Sequence, residues 1–288
     1  MSSEQQLESL RSFAAPFSVR RQLRRLAERP LDAGGTLRFA VIGDCEPGRF
    51  WLSRAMFGAP GVFPRLMDLI ADDGVEFVVQ LGDMVSRGTL PNYARLFATL
   101  AEFNQRIPFL PVPGNHERRS PHFRSDSSLF RAFFGKSNYA FDCGPARFIV
   151  LDTSDRRLTQ LQLSWLDRAL RTPLKKLVFS HFPPTCIREW TSMFRIPTSA
   201  CFRKGAEAFA RLVSERSVDR VYVGHIHALA CTRHRGVQYV LSGGGGSPLY
   251  PWPAGERSHH YLLVSVNELG ISEEVRYLGG RSRSLDVS

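Results

Sequence analysis

Six runs of strand length, each apolar or β-branched and each closed by a small or polar cluster, constrain this chain more than any other feature. They read LRFAVIGD, VEFVVQLGD, PFLPVPGNH, ARFIVLDT, KKLVFSHF and DRVYVGHIH, between residues 37 and 227. Segments with helical periodicity lie between several of them. PRLMDLIADDG precedes the second run, NYARLFATLAEFNQ the third and TQLQLSWLDRALR the fifth. In the last of these Thr159 and Gln162 have the spacing of a capping box, which satisfies two free backbone donors of a helix's first turn. Strands alternating with helices define a layered α/β architecture. Beyond residue 236 the rhythm changes. VQYVLSGGGG, HYLLVSVN and ISEEVRYL follow one another as strands, which a mixed second sheet accommodates.

The chain has 288 residues, 43% of them hydrophobic, enough for a substantial core. No stretch approaches the roughly 18–20 consecutive apolar residues of a membrane span, so no transmembrane segment is expected. The first thirty residues lack the apolar block of a secretory signal. The cysteines (Cys45, Cys143, Cys186, Cys201, Cys231) are odd in number and lack metal-ligand spacing. They read as free thiols in a reducing compartment, so a cytoplasmic location is the expectation. Net charge is +11, carried almost wholly by Arg, since Lys occurs only at 136, 175, 176 and 204. Such a field attracts anionic substrates, nucleic acid or acidic lipid without defining a site.

Three segments are expected: an N-terminal helical appendage and linker over 1–35, a main domain over 36–278, and a flexible tail over 279–288. The appendage should carry a helix from Ser18 to Glu28, N-capped by Ser18. Arg20, Arg21, Arg24 and Arg25 would line its outer face, and Val19, Leu23 and Leu26 its inner stripe. That apolar stripe is narrow for membrane insertion, which favours docking on the chain's own domain.

The chemistry sits at the C-terminal ends of the runs, where open α/β sheets gather ligands. Asp44 and Glu46 follow the first, Asp83 the second, Asn115 and His116 the third, His181 the fifth, and His225 with His227 the sixth. A lone His at a strand end is ordinarily structural, and Gly-Asp after a strand is ordinarily a turn. Carboxylates, an amide and imidazoles ending five runs of one chain are a different matter, because such clusters mark metal sites. Imidazole and carboxylate suit Zn, Fe and Mn, and a shared carboxylate can hold two cations roughly 3.5–4 Å apart. Asp83 is the candidate bridge, with hydroxide as the second. Such a pair makes a nucleophile from water near neutral pH and binds the phosphoryl oxygens during in-line displacement. A His beside the metals can protonate the leaving alkoxide. His116 fits that role.

The order Asp44, Gly82-Asp83, Gly114-Asn115-His116-Glu117, His181, Gly224-His225-Ile226-His227 resembles the calcineurin-like metallophosphoesterase superfamily, with matching motifs from residue 37 to about 265. The resemblance implies an α/β four-layer sandwich, the metallo-dependent phosphatase fold, with two mixed β-sheets flanked by helices. It implies two divalent metal ions (Mn, Fe, Zn or Mg, with Mn preferred), one held by Asp44, Asp83 and His227 and the other by Asp83, Asn115, His181 and His225. His116 would be the catalytic acid. The family usually has His two residues after the first Asp, whereas this chain has Glu46. Direct or water-mediated ligation by Glu46 would give a first site richer in oxygen and less selective for Zn.

Arg87, in GDMVSRG, partly matches the GD…RG segment of protein phosphatases and is a candidate phosphate clamp, with Ser86 where those proteins carry Asp. Asp152 and Asp155 read as turn residues, and His259 and His260 as packed or exposed side chains. Gly243–Gly246 read as a tight crossover beside the metals. Trp190, Met193 and Phe194 lie in a long connection fit to shape a binding site. The expected substrate is a phosphorylated small molecule or phosphoprotein. A nuclease of the same superfamily is the alternative enzyme, although no basic stripe interleaved with aromatics supports nucleic acid as partner. A non-catalytic scaffold that kept the fold is the alternative from another class.

Overall fold

A computed structural model describes residues 3–29, 35–46, 61–103, 106–118, 126–187, 190, 200–249 and 255–285. Two six-stranded mixed sheets form its centre. In the first, β1 (Leu37–Ile42), β2 (Val78–Gln80) and β3 (Phe109–Pro111) run parallel. Antiparallel β10 (His260–Val266), β11 (Ile271–Tyr277) and β12 (Ser282–Ser284) extend that sheet beyond β1. In the second, β5 (Ala146–Leu151), β6 (Lys175–Ser180), β7 (Arg220–Val223) and β9 (Val237–Ser242) run parallel. Antiparallel β4 (Tyr139–Cys143) and β8 (Leu229–His234) close its two edges.

Alternation along the strands builds the layers. On β5, Phe148 and Val150 enter the core shared with the first sheet, while Ile149 and Leu151 enter a separate core on the other side. Successive side chains on a strand point to opposite faces, so one strand serves two interfaces. Between the sheets, Phe148 meets Phe39 and Phe77 edge-on, each at 5.1 Å between centroids, the favoured geometry for aromatic quadrupoles. On the outer side of the second sheet, α6 (Gln160–Ala169) and α7 (Ala206–Glu215) bury Leu163, Leu166, Phe209 and Val213. Helices α3 (Val62–Asp72), α4 (Leu90–Phe103) and α5 (Ser128–Phe134) pack on the first. Helix, sheet, sheet, helix is the four-layer order the resemblance implied. Helix α6 opens with the expected capping box, Gln162 N donating to Thr159 Oγ1 at 3.2 Å and Thr159 N to Gln162 Oε1 at 3.0 Å.

One ion pair joins the two sheets. Arg220 Nε of β7 donates to Glu273 Oε1 of β11 at 2.6 Å, and Tyr222 Oη donates to the same oxygen at 3.0 Å. The Glu273 side chain is 2% exposed. Arg220→Ala would leave that carboxylate buried without its counter-charge, held by Tyr222 alone, and a loss of about 3 kcal/mol in unfolding free energy is expected by urea titration.

The N-terminal residues are part of the packing. Helices α1 (Ser3–Ala14) and α2 (Val19–Ala27) are joined by a turn in which Phe17 stacks on Phe97 at 5.2 Å. Val19 and Leu26 are buried, and Arg20, Arg21 and Arg24 are exposed. The contact with the sheet is made by Gln22, fully buried, whose Oε1 accepts from Phe109 N at 2.8 Å. Helix α2 thereby covers an edge that would otherwise present free donors. Ser18 corrects one expectation. It stands at the N-cap position, but its hydroxyl donates back to Ala15 O at 3.1 Å instead of accepting from the helix. Within the expected tail over 279–288, the described residues include β12, and Leu285 is buried. Among the described residues, no helix is long and apolar enough to cross a membrane.

His260 opens β10 fully buried, with Nε2 3.1 Å from Ser242 Oγ and Nδ1 donating to Ser258 O at 2.9 Å. Burial lowers its pKa to about 4. The unfolded chain therefore binds a proton near pH 6.5 that the folded one refuses until about pH 4, and stability falls as pH drops through that window. Between pH 7 and 5, His260→Gln is expected to lose about 2 kcal/mol less stability than the parent, read from urea midpoints at both pH values.

Candidate metal centre

The strands β1, β2 and β3 of one sheet and β6 and β7 of the other end at a common edge, and the loops leaving them carry the polar residues. Three of these residues adopt left-handed backbone: Asp44 (φ 56°), Asp83 (φ 56°) and His225 (φ 70°). Such conformations cost of order 1–3 kcal/mol each and persist only where the surroundings impose them. Crowding imposes them here. A Cβ on Gly82 (φ 97°) would lie 2.7 Å from His181 Nδ1 and 2.8 Å from Gly114 Cα; one on Gly114 would lie 2.2 Å from Asp83 Oδ1. The glycines of LGD and GNHE are there because the two loops leave no room for a side chain.

His181, Asp83, Asn115 and His225 converge. His181 Nε2 lies 3.3 Å from Asp83 Oδ2, 3.0 Å from Asn115 Oδ1 and 3.2 Å from His225 Nδ1. Asp83, His181 and His225 offer ligand atoms all within 4.8 Å of one another. Alongside, His227 Nε2 lies 3.6 Å from Asp44 Oδ1, and both Asp44 oxygens accept from His225 N, at 3.1 and 2.9 Å. His116 spans the remaining side, Nε2 being 3.8 Å from Asp83 Oδ2 and Nδ1 4.0 Å from Glu46 Oε1. That Nδ1 is buried and, among the described residues, has no hydrogen-bond partner.

These side chains fit a metal. His181 Nδ1 commits its proton to Leu81 O at 2.8 Å, so the proton a metal would displace is the one on Nε2, whose lone pair then points into the cluster. It faces Asp83 Oδ2 and Asn115 Oδ1, neither of which has a proton to give. Likewise His227 Nδ1 donates to Pro248 O at 2.7 Å and turns the lone pair of Nε2 toward Asp44. Carbonyls holding the far nitrogens are the usual means of fixing metal-binding tautomers. Four carboxylates, Asp44, Glu46, Asp83 and Glu117, are buried at 0, 3, 2 and 0% exposure. Among the described residues, no Lys or Arg pairs with Asp44, Asp83 or Glu117. Buried carboxylates in such density are offset either by a bound cation or by taking up protons.

Without a metal, the cluster's own groups offset one another. Burial pulls the His181 imidazolium down, but Asp83 overrides it and carries the pKa up to about 9. Burial alone would raise Asp83, whereas His181 and His116 hold it below the ordinary carboxylate range. Asp44 is pushed well above that range by burial, against the pull of His181. Burial takes His227 down to about 4 and His225 well below its ordinary value, so both are neutral near pH 7, as ligation requires.

Glu46 sits at the cluster's rim, with Ser247 Oγ donating to its carbonyl at 2.8 Å. Arg87 is exposed and its carbonyl accepts from Asn92 Nδ2. Among the described residues, no polar contact joins its guanidinium to the cluster. Asp152 makes the expected turn, accepting from Ser154 N at 3.0 Å. The glycine crossover lies beside the Asp44 loop, Gly245 N donating to Gly43 O at 2.7 Å and Ser247 N to Asp44 O at 2.9 Å. Trp190 is buried, while Met193 and Phe194 lie outside the described residues. Three contributors escaped sequence reasoning: the Leu81 and Pro248 carbonyls, and Phe182, whose ring packs 4.0 Å from that of His225 with the Arg156 guanidinium over it. Backbone carbonyls leave no trace in residue identity. Phe182 was visible only as part of an apolar run.

A mixed α/β sandwich with an Asp/His cluster at the carboxyl ends of its strands is the architecture of the metallophosphoesterase fold. The calcineurin-like phosphoesterase family model matches residues 37–229, and the chain belongs to that family. A probable cyclic nucleotide phosphodiesterase of Fibrobacter succinogenes is 22% identical over 156 residues, covering 54% of this chain. The chain spans 58% of the length of that curated relative. The purple acid phosphatase of yellow lupin seeds superimposes with a TM-score of 0.64 at 16% identity, over 86% of this chain and 53% of that one. GAP50, described as the anchor in the inner membrane complex of Plasmodium, does so at 0.57 and 16% identity, over 88% and 89%. At these identities the structural likenesses speak to fold.

Proposed function

We propose that the chain hydrolyses a phosphate mono- or diester with two divalent cations. The observation that carries this reading is the convergence on His181 Nε2 of Asp83 Oδ2 and Asn115 Oδ1, with Asp44 and His227 paired beside them. Asp83, Asn115, His181 and His225 would hold one ion. Asp44, Asp83 and His227 would hold the other, with Glu46 as an oxygen donor in place of the usual His. Bound there, the ions would acidify water and offset charge developing on the phosphoryl oxygens. Asp83 would be common to both sets, and its Oδ1 accepts from His116 N at 2.9 Å. The amide of Asn115 is placed to orient a phosphoryl oxygen, and His116 Nε2, beside Asp83 Oδ2, to hand a proton to the leaving oxygen. The oxygen-rich donor set favours Mn over Zn.

The substrate is read as a phosphorylated small molecule or phosphoprotein, and the Fibrobacter relative's description places cyclic nucleotides among the diesters to try. Arg87 would act as a phosphate clamp only after its side chain turned inward. The five free thiols support a reducing, cytoplasmic setting. Chromogenic phosphate mono- and diesters with Mn test the reading. Turnover well above that of Asp83→Asn is expected, and equal background rates in both proteins would favour the scaffold. Steep salt dependence of nucleic-acid binding, with cleavage of nucleic acid, would favour the nuclease.

A further inference from the structure

The GNHE segment ends in a residue to which neither the sequence nor the proposed chemistry assigns a task. Glu117 is fully buried, yet among the described residues its carboxylate is hydrogen-bonded to neither a basic side chain nor a hydroxyl. Its Oε1 accepts from Met84 N at 2.7 Å and Val85 N at 3.2 Å, and its Oε2 from Asp83 N at 2.9 Å and Gly114 N at 2.6 Å. Three of these donors belong to the loop after β2 and one to the loop after β3. The bond from His116 N to Asp83 Oδ1 runs the other way, so each loop supplies a carboxylate to the other's backbone.

We infer that Glu117 is a positioning residue that locks the Asp83 loop to the Asn115–His116 loop and so sets the spacing of the metal pair. Backbone amides donating to a carboxylate give short, charge-assisted bonds of fixed direction. By drawing in the amides of residues 83–85, Glu117 holds Asp83 in its left-handed conformation. With Oδ1 committed to His116 N, only Oδ2 of Asp83 is left to face the imidazoles of His181 and His116. A carboxylate is required because all four partners are donors. An amide turns its own NH₂ group against at least one of them, and Asp is shorter by a methylene and cannot reach both loops.

This inference rests on the proposed metal-pair reading, and its test separates the two. Purified protein, Glu117→Gln and Glu117→Asp are titrated with Mn, with bound metal counted and the electron paramagnetic resonance spectrum recorded. The parent is expected to bind two Mn with the spectrum of an exchange-coupled pair. In both variants the second Mn should bind roughly 10- to 100-fold more weakly, the size of effect seen when a group supporting a ligand is lost. The spectrum should change to that of isolated ions. A merely structural role would lower thermal stability without uncoupling the pair. A parent that takes up no Mn overturns the hydrolase reading, and the clamp with it. A parent with a coupled pair and variants with the same pair and affinity overturn the clamp alone. Should neither variant fold, hydrogen exchange in the parent decides. The amides of Met84, Val85 and Gly114 should exchange slowly although they lie in loops, and rapid exchange there sinks the proposal.

Discussion

Replacing Asp83 by Asn is expected to lower hydrolysis of a chromogenic phosphate ester by about 10³-fold or more, equivalent to about 4 kcal/mol of transition-state stabilisation. The substitution is nearly isosteric, and its amide oxygen can still accept from His116 N, so the two loops should keep their relation. What it removes is the negative charge facing both His181 and His116. Cations that share this group would lose their common anion and repel each other at close range. In metal-free protein the same change removes the carboxylate that faces the buried His181 ring at 3.3 Å and that, against the pull of burial, His181 and His116 hold below its ordinary pKa. A depressed carboxylate stabilises the fold above its pKa, and the amide forfeits that contribution. Without metal, Asp83→Asn should melt below the parent temperature near pH 7; with excess Mn the parent should rise and the variant should not, since only ligands that bind the folded state shift the midpoint. A variant that takes up Mn like the parent and keeps its turnover would remove Asp83 from the centre of the site.

His116→Asn is expected to lower turnover by about 10²- to 10⁴-fold on esters with poor leaving groups, the usual share of a positioned proton donor. On nitrophenyl esters the loss should be much smaller, because a nitrophenolate departs with little need of a proton. Metal content should stay at the parent level, since His116 stands across the cluster from His181 and is in neither proposed ligand set. Its ring lies between Asp83 and Glu46, with Nδ1 buried and unpaired among the described residues, so Asn leaves the neighbouring carboxylates in place. Equal losses on good and poor leaving groups, or a fall in bound metal, would show that His116 acts on the ligands instead of on the leaving oxygen.

These two residues illustrate how much of the site was legible beforehand. Asp83, Asn115, His181, His225 and their neighbours stood out because each follows an apolar run, and the runs proved to be parallel strands ending on one side. The weaker elements were missed for a definite reason. Edge strands β4 and β8 and the short β12 are only partly buried or fully exposed, so they need no continuous apolar run. Helix α1 was passed over too, its apolar residues being spread thinly among polar ones.

By itself the sequence determined the alternation of strand and helix, the polar cluster closing each strand, and the donor types available to a cation, because periodicity and residue chemistry are local properties. Tertiary structure alone decided the left-handed backbone at Asp44, Asp83 and His225, the nitrogen each imidazole turns inward, and the joining of two loops through Glu117. Each of those depends on a partner brought from far along the chain, as Leu81 is to His181 across one hundred residues. Residue identity specifies which bonds a side chain can make; only packing specifies which of them it does.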